Sequence, residues 1–240
     1  MKFFRFRKKR DNGRFSWKNL SPEFRQKKKA AEILIADSRD SADYYVMLII
    51  ATLIITFGLV ENNAAVIIGG MLVAPVLFPI LALGLGAASM RPSLFIRSLR
   101  VLIASVVLIL TLSSAVAYFM DPGTFVNTQV ELRLSFSILS VGVAFLAGFA
   151  GAYAWVRESL RANLPGVAIA VALLPPLCVT GIQLAHNNVE GVASSFLLFG
   201  INVGGIFIAS LIVFVFFGYK QVQGIVEKTM KEEQAERADE

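Results

Sequence analysis

Charge is scarce in the central part of this sequence. The chain has 23 Lys and Arg and 17 Asp and Glu among 240 residues, and only 11 of these lie between Tyr44 and Gly218. Charged residues make up 17% of the chain and hydrophobic residues 56%, whereas soluble domains carry about 25% charged residues. This deficit excludes an ordinary soluble domain and predicts an all-α integral membrane protein that lies in a lipid bilayer.

Cysteine and histidine are almost absent. The single cysteine, Cys178, excludes an intrachain disulfide framework and a cysteine metal cluster, and His186 is the single histidine. The apolar segments also lack the groupings of His, Asp, Glu, Cys or Ser–Lys that hydrolysis or group transfer requires. We therefore expect neither an enzyme nor a bound cofactor or metal.

Long apolar runs are abundant. A run of about 20 residues spans a bilayer as a helix, and six segments meet this requirement. Only the turn "ENN" separates the first two, which predicts a tight hairpin. The predicted spans are residues 44–60, 64–88, 94–120, 136–156, 163–185 and 192–217.

The positive charges predict the orientation of these spans. With six crossings, 22 of the 23 Lys and Arg residues fall on one side of the membrane and only Arg133 falls on the other. Cytoplasmic loops carry the excess of Lys and Arg in membrane proteins. We therefore predict a multi-pass protein of the cell membrane with both termini in the cytoplasm.

Two pairs of prolines interrupt the second and fifth spans about a dozen residues in, near the bilayer centre. Proline cannot donate to the carbonyl one turn back, and in hydrocarbon such a carbonyl must face protein, water or a ligand. Broken helices that meet there would present carbonyls and helix N-termini, as ion and anion sites do. A kink that only aids helix packing is the alternative. The candidate substrate-binding residues are Pro75, Pro79, Met71, Pro175, Pro176, Val171 and Ala172.

The proline segments also suggest an internal repeat. "ENNAAVIIGGMLVAPVLFP" resembles "RANLPGVAIAVALLPPLCV" at an offset of 100 residues, which aligns Asn63 with Asn163 and Pro75 with Pro175. The repeats would cover about residues 44–120 and 136–217, with three spans each. An odd number of spans makes successive units enter from opposite sides, which gives an inverted 3+3 repeat with a site at the midplane. Few residues are identical, so chance similarity is the competing interpretation.

Further along, the motifs "NNAAVIIGGMLVAPVLFPILALGLG", "LPGVAIAVALLPPLCVTGIQLA" and "SSFLLFGINVGGIFIASLIVFVFFG" resemble the multi-pass membrane family called domain of unknown function 389. The similarity covers about residues 40–218. Members usually have a serine or a similar small residue where this chain has Asn63. The resemblance implies a multi-pass helical fold, and it implies little about a substrate because the family has no established activity.

Other polar and small residues of the spans have two interpretations each. Asn202 lies inside the sixth span, where its side chain either binds a solute or forms hydrogen bonds between helices. Glu61, beside the hairpin, is either a proton-coupling carboxylate or a residue of the external boundary. The spacing of Gly200 and Gly204 indicates a face for close helix packing and suits a homo-oligomer.

The two ends of the chain are charged. Residues 1–43 form a basic arm whose helix begins with Ser21 as N-cap and Pro22 at the first position. This amphipathic helix favours anionic lipid as its partner rather than nucleic acid. An acidic face that includes Asp37 and Asp43 is typical of solvated helices, with a cation site as the alternative. Residues 219–240 form a charged tail that we expect to extend the last helix, beyond a membrane domain of residues 44–218.

Two functions fit these observations. The first is a transporter or channel for a small solute or ion, with a site at the broken helices. The second is a membrane scaffold or sensor that works through its basic arm and its contacts with other copies. The distinguishing feature is the space around the prolines, because a transporter needs a polar cavity there that water can reach.

Overall fold

The structure is a computed structural model that describes residues 22–120, 122–135, 137–163 and 173–230, and every regular element in these ranges is helical. Short 3₁₀ turns cover Pro122–Phe125, Glu158–Asn163 and Tyr219–Val222, and residues 223–230 form a further helical segment. The labelled α-helices are α1 (Pro22–Asp37), α2 (Ala42–Val60), α3 (Ala64–Val73), α4 (Leu77–Ala88), α5 (Pro92–Tyr118), α6 (Thr128–Glu131), α7 (Ile138–Val156), α8 (Leu174–Ala185) and α9 (Val189–Phe216).

Four helices in the described ranges, α2, α5, α7 and α9, are long and apolar enough to cross a membrane. The pair α3 and α4 adds a fifth span if the two count as one segment, which is bent by 48° at the break between them. Helix α8 is apolar but has only 12 residues, and residues 164–172 of the predicted fifth span lie outside the described residues. The prediction of a helical membrane protein is therefore confirmed in its coarse form.

Polar side chains set the starts of several helices. Ser41 accepts a hydrogen bond from Tyr44 N at the start of α2, and Asn63 accepts from Ala65 N at the start of α3. Ser137 and Asn188 cap α7 and α9 in the same way. Such caps satisfy backbone donors that have no partner inside the helix, so the short polar turns of the sequence fix where each apolar segment begins.

Helices α4 and α8 form the centre of the bundle. Ten of the 12 residues in each helix are buried, and each helix packs against both long helices α5 and α9. The approach is closest at two glycines, because a Cβ added to Gly84 would lie 2.1 Å from Ser210 Oγ and one added to Gly181 would lie 2.0 Å from Ser113 Oγ. Only glycine fits at these two positions without a shift of the neighbouring helix.

One end of the bundle, here called the basic end, gathers residues 22–43, 89–100, 157–161 and 218–230. Its segments are joined by polar contacts. Arg97 donates to Ile35 O at 2.7 Å, Lys29 pairs with Glu158 at 2.6 Å, and Arg91 pairs with Glu227 at 2.7 Å. The segments that the charge pattern assigned to one side therefore do lie together.

The opposite end, here called the hairpin end, gathers residues 59–63, 122–133 and 186–188. Asn127 Nδ2 donates to Leu59 O at 2.8 Å, and the backbone N–H of Gln129 donates to Asn62 Oδ1 at 3.1 Å. The ring of Phe125 lies 5.5 Å from that of His186. The loop between α5 and α7 is thus fixed across the α2–α3 hairpin.

The tail does not extend the last helix, so that prediction is wrong. Helix α9 ends at Phe216, and Gly218 adopts a left-handed conformation with φ of 72° that turns the chain back. The following residues have apolar side chains at helical spacing, which pack into the bundle and are buried. These residues are Tyr219, Val222, Ile225, Val226 and Met230.

Helix α1 begins at Pro22, as predicted, and Ser21 lies outside the described residues. Its apolar face contacts protein: Ala31, Leu34 and Ile35 are at most 1% exposed, and Trp155 Nε1 donates to Ala30 O at 3.0 Å. The face that suggested insertion into lipid therefore packs against the bundle, while the cations of α1 remain on the outer side.

Candidate functional site

The second span is broken where the sequence predicts it. Helix α3 ends at Val73, and Ala74 adopts an extended conformation with φ of −75° and ψ of 123°. The ring of a proline disfavours the helical region for the residue before it, so Pro75 forces this conformation on Ala74. Helix α4 then restarts at Leu77 in a new direction.

The prediction that the second proline of this pair leaves a carbonyl unpaired is wrong. Pro79 is the third residue of α4, where a backbone N–H has no partner inside the helix in any case. The carbonyl of Pro75, which was expected to be free, accepts a hydrogen bond from Phe78 N at 3.2 Å. The break therefore depends on Pro75, and Pro79 only starts a helix.

In the fifth span the prolines again start a helix. Pro175 and Pro176 are the second and third residues of α8, so they do not interrupt it. Val171 and Ala172, whose carbonyls were expected to be unpaired, lie outside the described residues. Because Pro75 precedes its helix and Pro175 lies within one, the alignment at an offset of 100 residues is wrong for these two positions.

The starts of α4 and α8 lie against each other. Met71, Ala74 and Leu77 on one side and Leu173 and Leu174 on the other line a void of about 10 Å³. A water molecule needs at least about that volume and several polar partners. The sequence prediction that the two proline segments meet thus holds for these residues, which we call the half-helix junction, but the junction is apolar and tightly packed.

A larger space adjoins the break on the side of the basic end. This break cavity has a volume of about 480 Å³ and is open to the outside. Its lining includes Pro75 and Phe78 from the break and Asp37, Asp43 and Tyr44 from the α1–α2 corner. The sequence therefore identified one wall of the cavity at Pro75 and missed the wall opposite.

The polar wall of the break cavity is well ordered by contacts. Tyr44 OH lies 2.8 Å from Ser105 Oγ, which in turn donates to Val101 O at 2.8 Å. Burial raises the pKa of the Asp37 carboxyl, and the positive charge of Arg161 lowers it by a smaller amount. The cavity thus combines two carboxylates, a phenol and the end of a broken helix.

The acidic residues before the first span do not share one continuous helical face. Residues 38–41 separate α1 from α2, so Asp37 ends one helix and Asp43 begins the next. The corner between the helices brings both to the same cavity. A sequence signal existed in the two serines, Ser38 and Ser41, because serine favours helix ends.

Three candidate residues lie away from the junction. Asn63 caps α3 at the hairpin end, and the neighbouring Glu61 is the exposed C-cap of α2. Asn163 ends a 3₁₀ turn near the basic end. Asn63 and Asn163 therefore lie at opposite ends of the bundle, and the structure does not bring either to the prolines.

The remaining candidates lie on α9, away from the junction and the break cavity. Asn202 is buried within α9 and does not line the junction or the break cavity. Gly200 and Gly204 have no atom within 4 Å of an added Cβ, so the predicted close packing does not involve them. The close approach of α7 and α9 occurs at Gly148, where a Cβ would lie 2.5 Å from Ile206 Cα.

Metal binding finds no support in the described part of the chain. No group of three or more His, Cys, Asp or Glu residues there is placed to hold an ion.

Comparison with known proteins places this chain in a family. The family described as domain of unknown function DUF389 matches residues 71–208. An uncharacterized protein of Methanocaldococcus jannaschii is 32% identical over 178 residues, which are 74% of this chain and 55% of that protein. The chain thus spans about half the length of this relative, and no solved structure matches. The chain belongs to the DUF389 family, whose function is unknown.

Proposed function

We propose that this protein is a transporter or channel of the cell membrane for a small solute or ion. In this proposal six spans form an inverted 3+3 repeat, both termini are cytoplasmic, and the solute binds at the break cavity beside the half-helix junction. The observation that carries the proposal is the open cavity of about 480 Å³ at the proline break.

The contacts at the two ends of the bundle support six crossings. The basic end contains the α1–α2 corner, the start of α5, the turn after α7 and the tail, whereas the hairpin end contains the three other turns. The bent pair α3–α4 runs between the ends as one segment, and the proposal assigns the remaining crossing to residues 163–185, of which α8 is the described part. The concentration of Lys and Arg at the basic end supports a cytoplasmic location for it.

Helix lengths support the repeat, but at an offset of 97 residues rather than 100. Helices α4 and α8 have 12 residues each, and α5 and α9 have 27 and 28. An offset of 97 superposes both helix starts and places Gly84 on Gly181. It also aligns three buried polar residues of α5 with three of α9 at the same spacing: Ser98, Ser105 and Ser113 with Ser195, Asn202 and Ser210.

A midplane site between two such half-helices suits alternating access. Discontinuous helices of inverted repeats hold substrates where their inner ends meet, and rocking of one repeat against the other exposes the site to each side in turn. The tight half-helix junction would then be the closed barrier, and the break cavity the entrance from the basic end. Its carboxylates are candidates for binding a cation or a proton.

A replacement of Pro75 tests the proposal. Alanine restores a donor for Met71 O and removes a helix penalty of about 3 kcal/mol, so α3 and α4 can join and the mouth of the cavity closes. We expect Pro75→Ala to abolish flux in proteoliposomes while its melting temperature in detergent is unchanged or higher. The matched control Pro79→Ala alters the first turn of α4 only and should retain flux.

Two results would contradict the proposal. One is flux through Pro75→Ala at the rate of the unmodified protein. The other is a loss of flux in step with a loss of stability, since a packing kink would produce that pattern. Flux or charge movement should first be measured with a broad panel of solutes, because the solute is unidentified.

The alternative function is a scaffold or sensor without transport. The dry half-helix junction, with only about 10 Å³ of space, favours this alternative. In it, the basic arm binds anionic lipid through the outward cations of α1, and the open face around Gly200 and Gly204 receives a second copy of the chain. Flux that is absent for every solute, together with assembly that depends on Gly200, would favour the scaffold.

A further inference from the structure

Arg133 is the one Lys or Arg in the described residues that lies at the hairpin end. It follows α6, within the loop that covers the α2–α3 hairpin. This loop is fixed by the bonds from Asn127 to Leu59 and from Gln129 to Asn62. Val130 of the same loop is 1% exposed, so the loop packs into the bundle and takes Arg133 with it.

The guanidinium of Arg133 is only partly satisfied. Nη1 donates to the carbonyl and to the side-chain oxygen of Gln129, its own neighbour one turn back. Nε is shielded from solvent and has no hydrogen-bond partner among the described residues. Nε and Nη2 form the edge of a guanidinium that matches the two oxygens of a carboxylate or phosphate.

The charge of Arg133 also lacks a counterion in the described part of the chain. None of the ion pairs there includes it. Burial lowers the pKa of Arg133, which reflects the cost of removing a charge from water. A charge that is partly removed from water without a counterion is costly.

A second buried nitrogen without a partner in the described residues lies at the same end. It is Nε2 of His186, whose ring packs against Phe125. The hairpin end therefore contains unsatisfied hydrogen-bonding capacity on both the loop and the turn after α8. Arg133 is only partly buried, and its bonds to Gln129 use Nη1 and leave Nε without a partner in the described residues.

We propose that Arg133 binds an oxyanion, a carboxylate or phosphate group, through its free Nε–Nη2 edge. The inference rests on the proposed transport function, because Nε is covered in this structure and an anion reaches it only when the hairpin end opens. It deepens that function by assigning the solute an anionic group. The oxyanion belongs to a free solute or to the phosphate of a lipid headgroup, and the experiment separates these sources.

The experiment compares Arg133→Gln and Arg133→Lys with the control Arg100→Gln, which removes an exposed arginine at the basic end. Melting temperatures are measured in a neutral detergent with chloride, acetate or phosphate at equal ionic strength. Without an oxyanion, Arg133→Gln should be at least as stable as the unmodified protein, because the unpaired charge is gone. Acetate or phosphate should raise the melting temperature of the unmodified protein and of Arg100→Gln by a few degrees.

That rise should disappear in Arg133→Gln and shrink in Arg133→Lys, because lysine keeps the charge and loses the planar edge. Vesicles of phosphatidylglycerol test the lipid: a rise that needs this lipid and Arg133, without any response to acetate or phosphate, assigns the oxyanion to the headgroup. Equal responses of the unmodified protein and Arg133→Gln to every anion and lipid would overturn the proposal. So would a loss of stability in Arg133→Gln without oxyanion, since that would show a packing role.

Flux measured on the same proteins separates this proposal from the proposed function. If the oxyanion effect depends on Arg133 but no solute moves, the site stands and transport fails. If solutes move equally in the unmodified protein and Arg133→Gln, transport stands; if acetate, phosphate and phosphatidylglycerol also fail to distinguish the two proteins, the oxyanion site is overturned.

Discussion

The two half-helices α4 and α8 are built alike but are held differently. Each has proline as its third residue and glycine as its eighth, and each glycine meets a serine of a long helix. In the pair α8–α9, here called the outer pair, Thr180 Oγ1 lies 2.9 Å from Ser195 Oγ. In the pair α4–α5, here called the inner pair, the residues 97 positions earlier are Leu83 and Ser98. Ser98 Oγ is buried without a partner in the described residues.

This difference indicates which pair can move. A hydrogen bond between helices resists sliding, whereas Leu83 has an apolar side chain and Ser98 Oγ has no partner in the described residues. The break cavity lies beside the inner pair. We therefore expect α4 to shift against α5 during function, while α8 and α9 move as one unit.

The largest expected effect concerns the two glycines. An added Cβ would first meet a serine Oγ at either glycine, but the nearest backbone atom is closer at Gly181, where Leu110 O would lie at 2.8 Å, than at Gly84, where Leu211 N would lie at 3.2 Å. Overpacking costs about 1–3 kcal/mol, so Gly181→Ala should lower the free energy of unfolding more than Gly84→Ala does. Gly200→Ala has open space and should gain about 0.5–1 kcal/mol from helix propensity.

Thermal unfolding in detergent measures all three variants. Equal losses at Gly84 and Gly181 would show that the contact of α4 with α9 and the contact of α8 with α5 are equally tight. Equal stability of all three variants would show that neither close approach exists.

A smaller effect should distinguish the two aligned serines. Ser195→Ala removes a bond between helices and should cost about 0.5–1.5 kcal/mol. Ser98→Ala removes a hydroxyl without a partner, so its effect should lie within about 0.5 kcal/mol of zero or be stabilising. Chemical denaturation of both variants checks this contrast, and a cost at Ser98 as large as that at Ser195 would contradict it.

The smallest effect concerns Asp37 at the mouth of the break cavity. Its pKa is raised by burial in the folded protein, so the folded state binds the proton more tightly than the unfolded state. Stability should therefore be greatest below the ordinary pKa of Asp and should fall as pH rises through the raised value. Asp37→Asn should remove this dependence and change stability by less than about 0.5 kcal/mol at neutral pH, as melting temperatures across pH 3–7 would show. A steeper fall in the variant would contradict the assignment.

Hydropathy and charge predicted much of the fold. The predicted spans 44–60 and 136–156 correspond to α2 and α7 to within two residues, because each apolar run ends at a polar cap. The break at Pro75 followed from the chemistry of proline. The fold of the tail could have been found as well, since its apolar residues from Tyr219 to Met230 recur at helical spacing.

The candidate site was only partly predictable. Aligning the proline pairs gave an offset of 100 residues, because Pro75 and Pro175 look equivalent in the sequence although one precedes a helix and the other lies within it. The offset of 97 in the proposed repeat depends on which polar residues of α5 and α9 are buried, and the sequence alone does not show that. Asp43 and Tyr44 could not be assigned to the cavity, because the corner that turns them toward Pro75 depends on the packing of α1 against the bundle.

The central claim is that water and a solute reach the proline break. Ala74 lines both the half-helix junction and the break cavity, so a cysteine there tests the claim most directly in a Cys178→Ala background. A membrane-impermeant thiol reagent supplied from the cytoplasmic side should modify Ala74→Cys and block flux, while the exposed apolar-face control Ile103→Cys on α5 should not react. If Ala74→Cys is as unreactive as Ile103→Cys, or reacts without any effect on flux, the break is not a transport site.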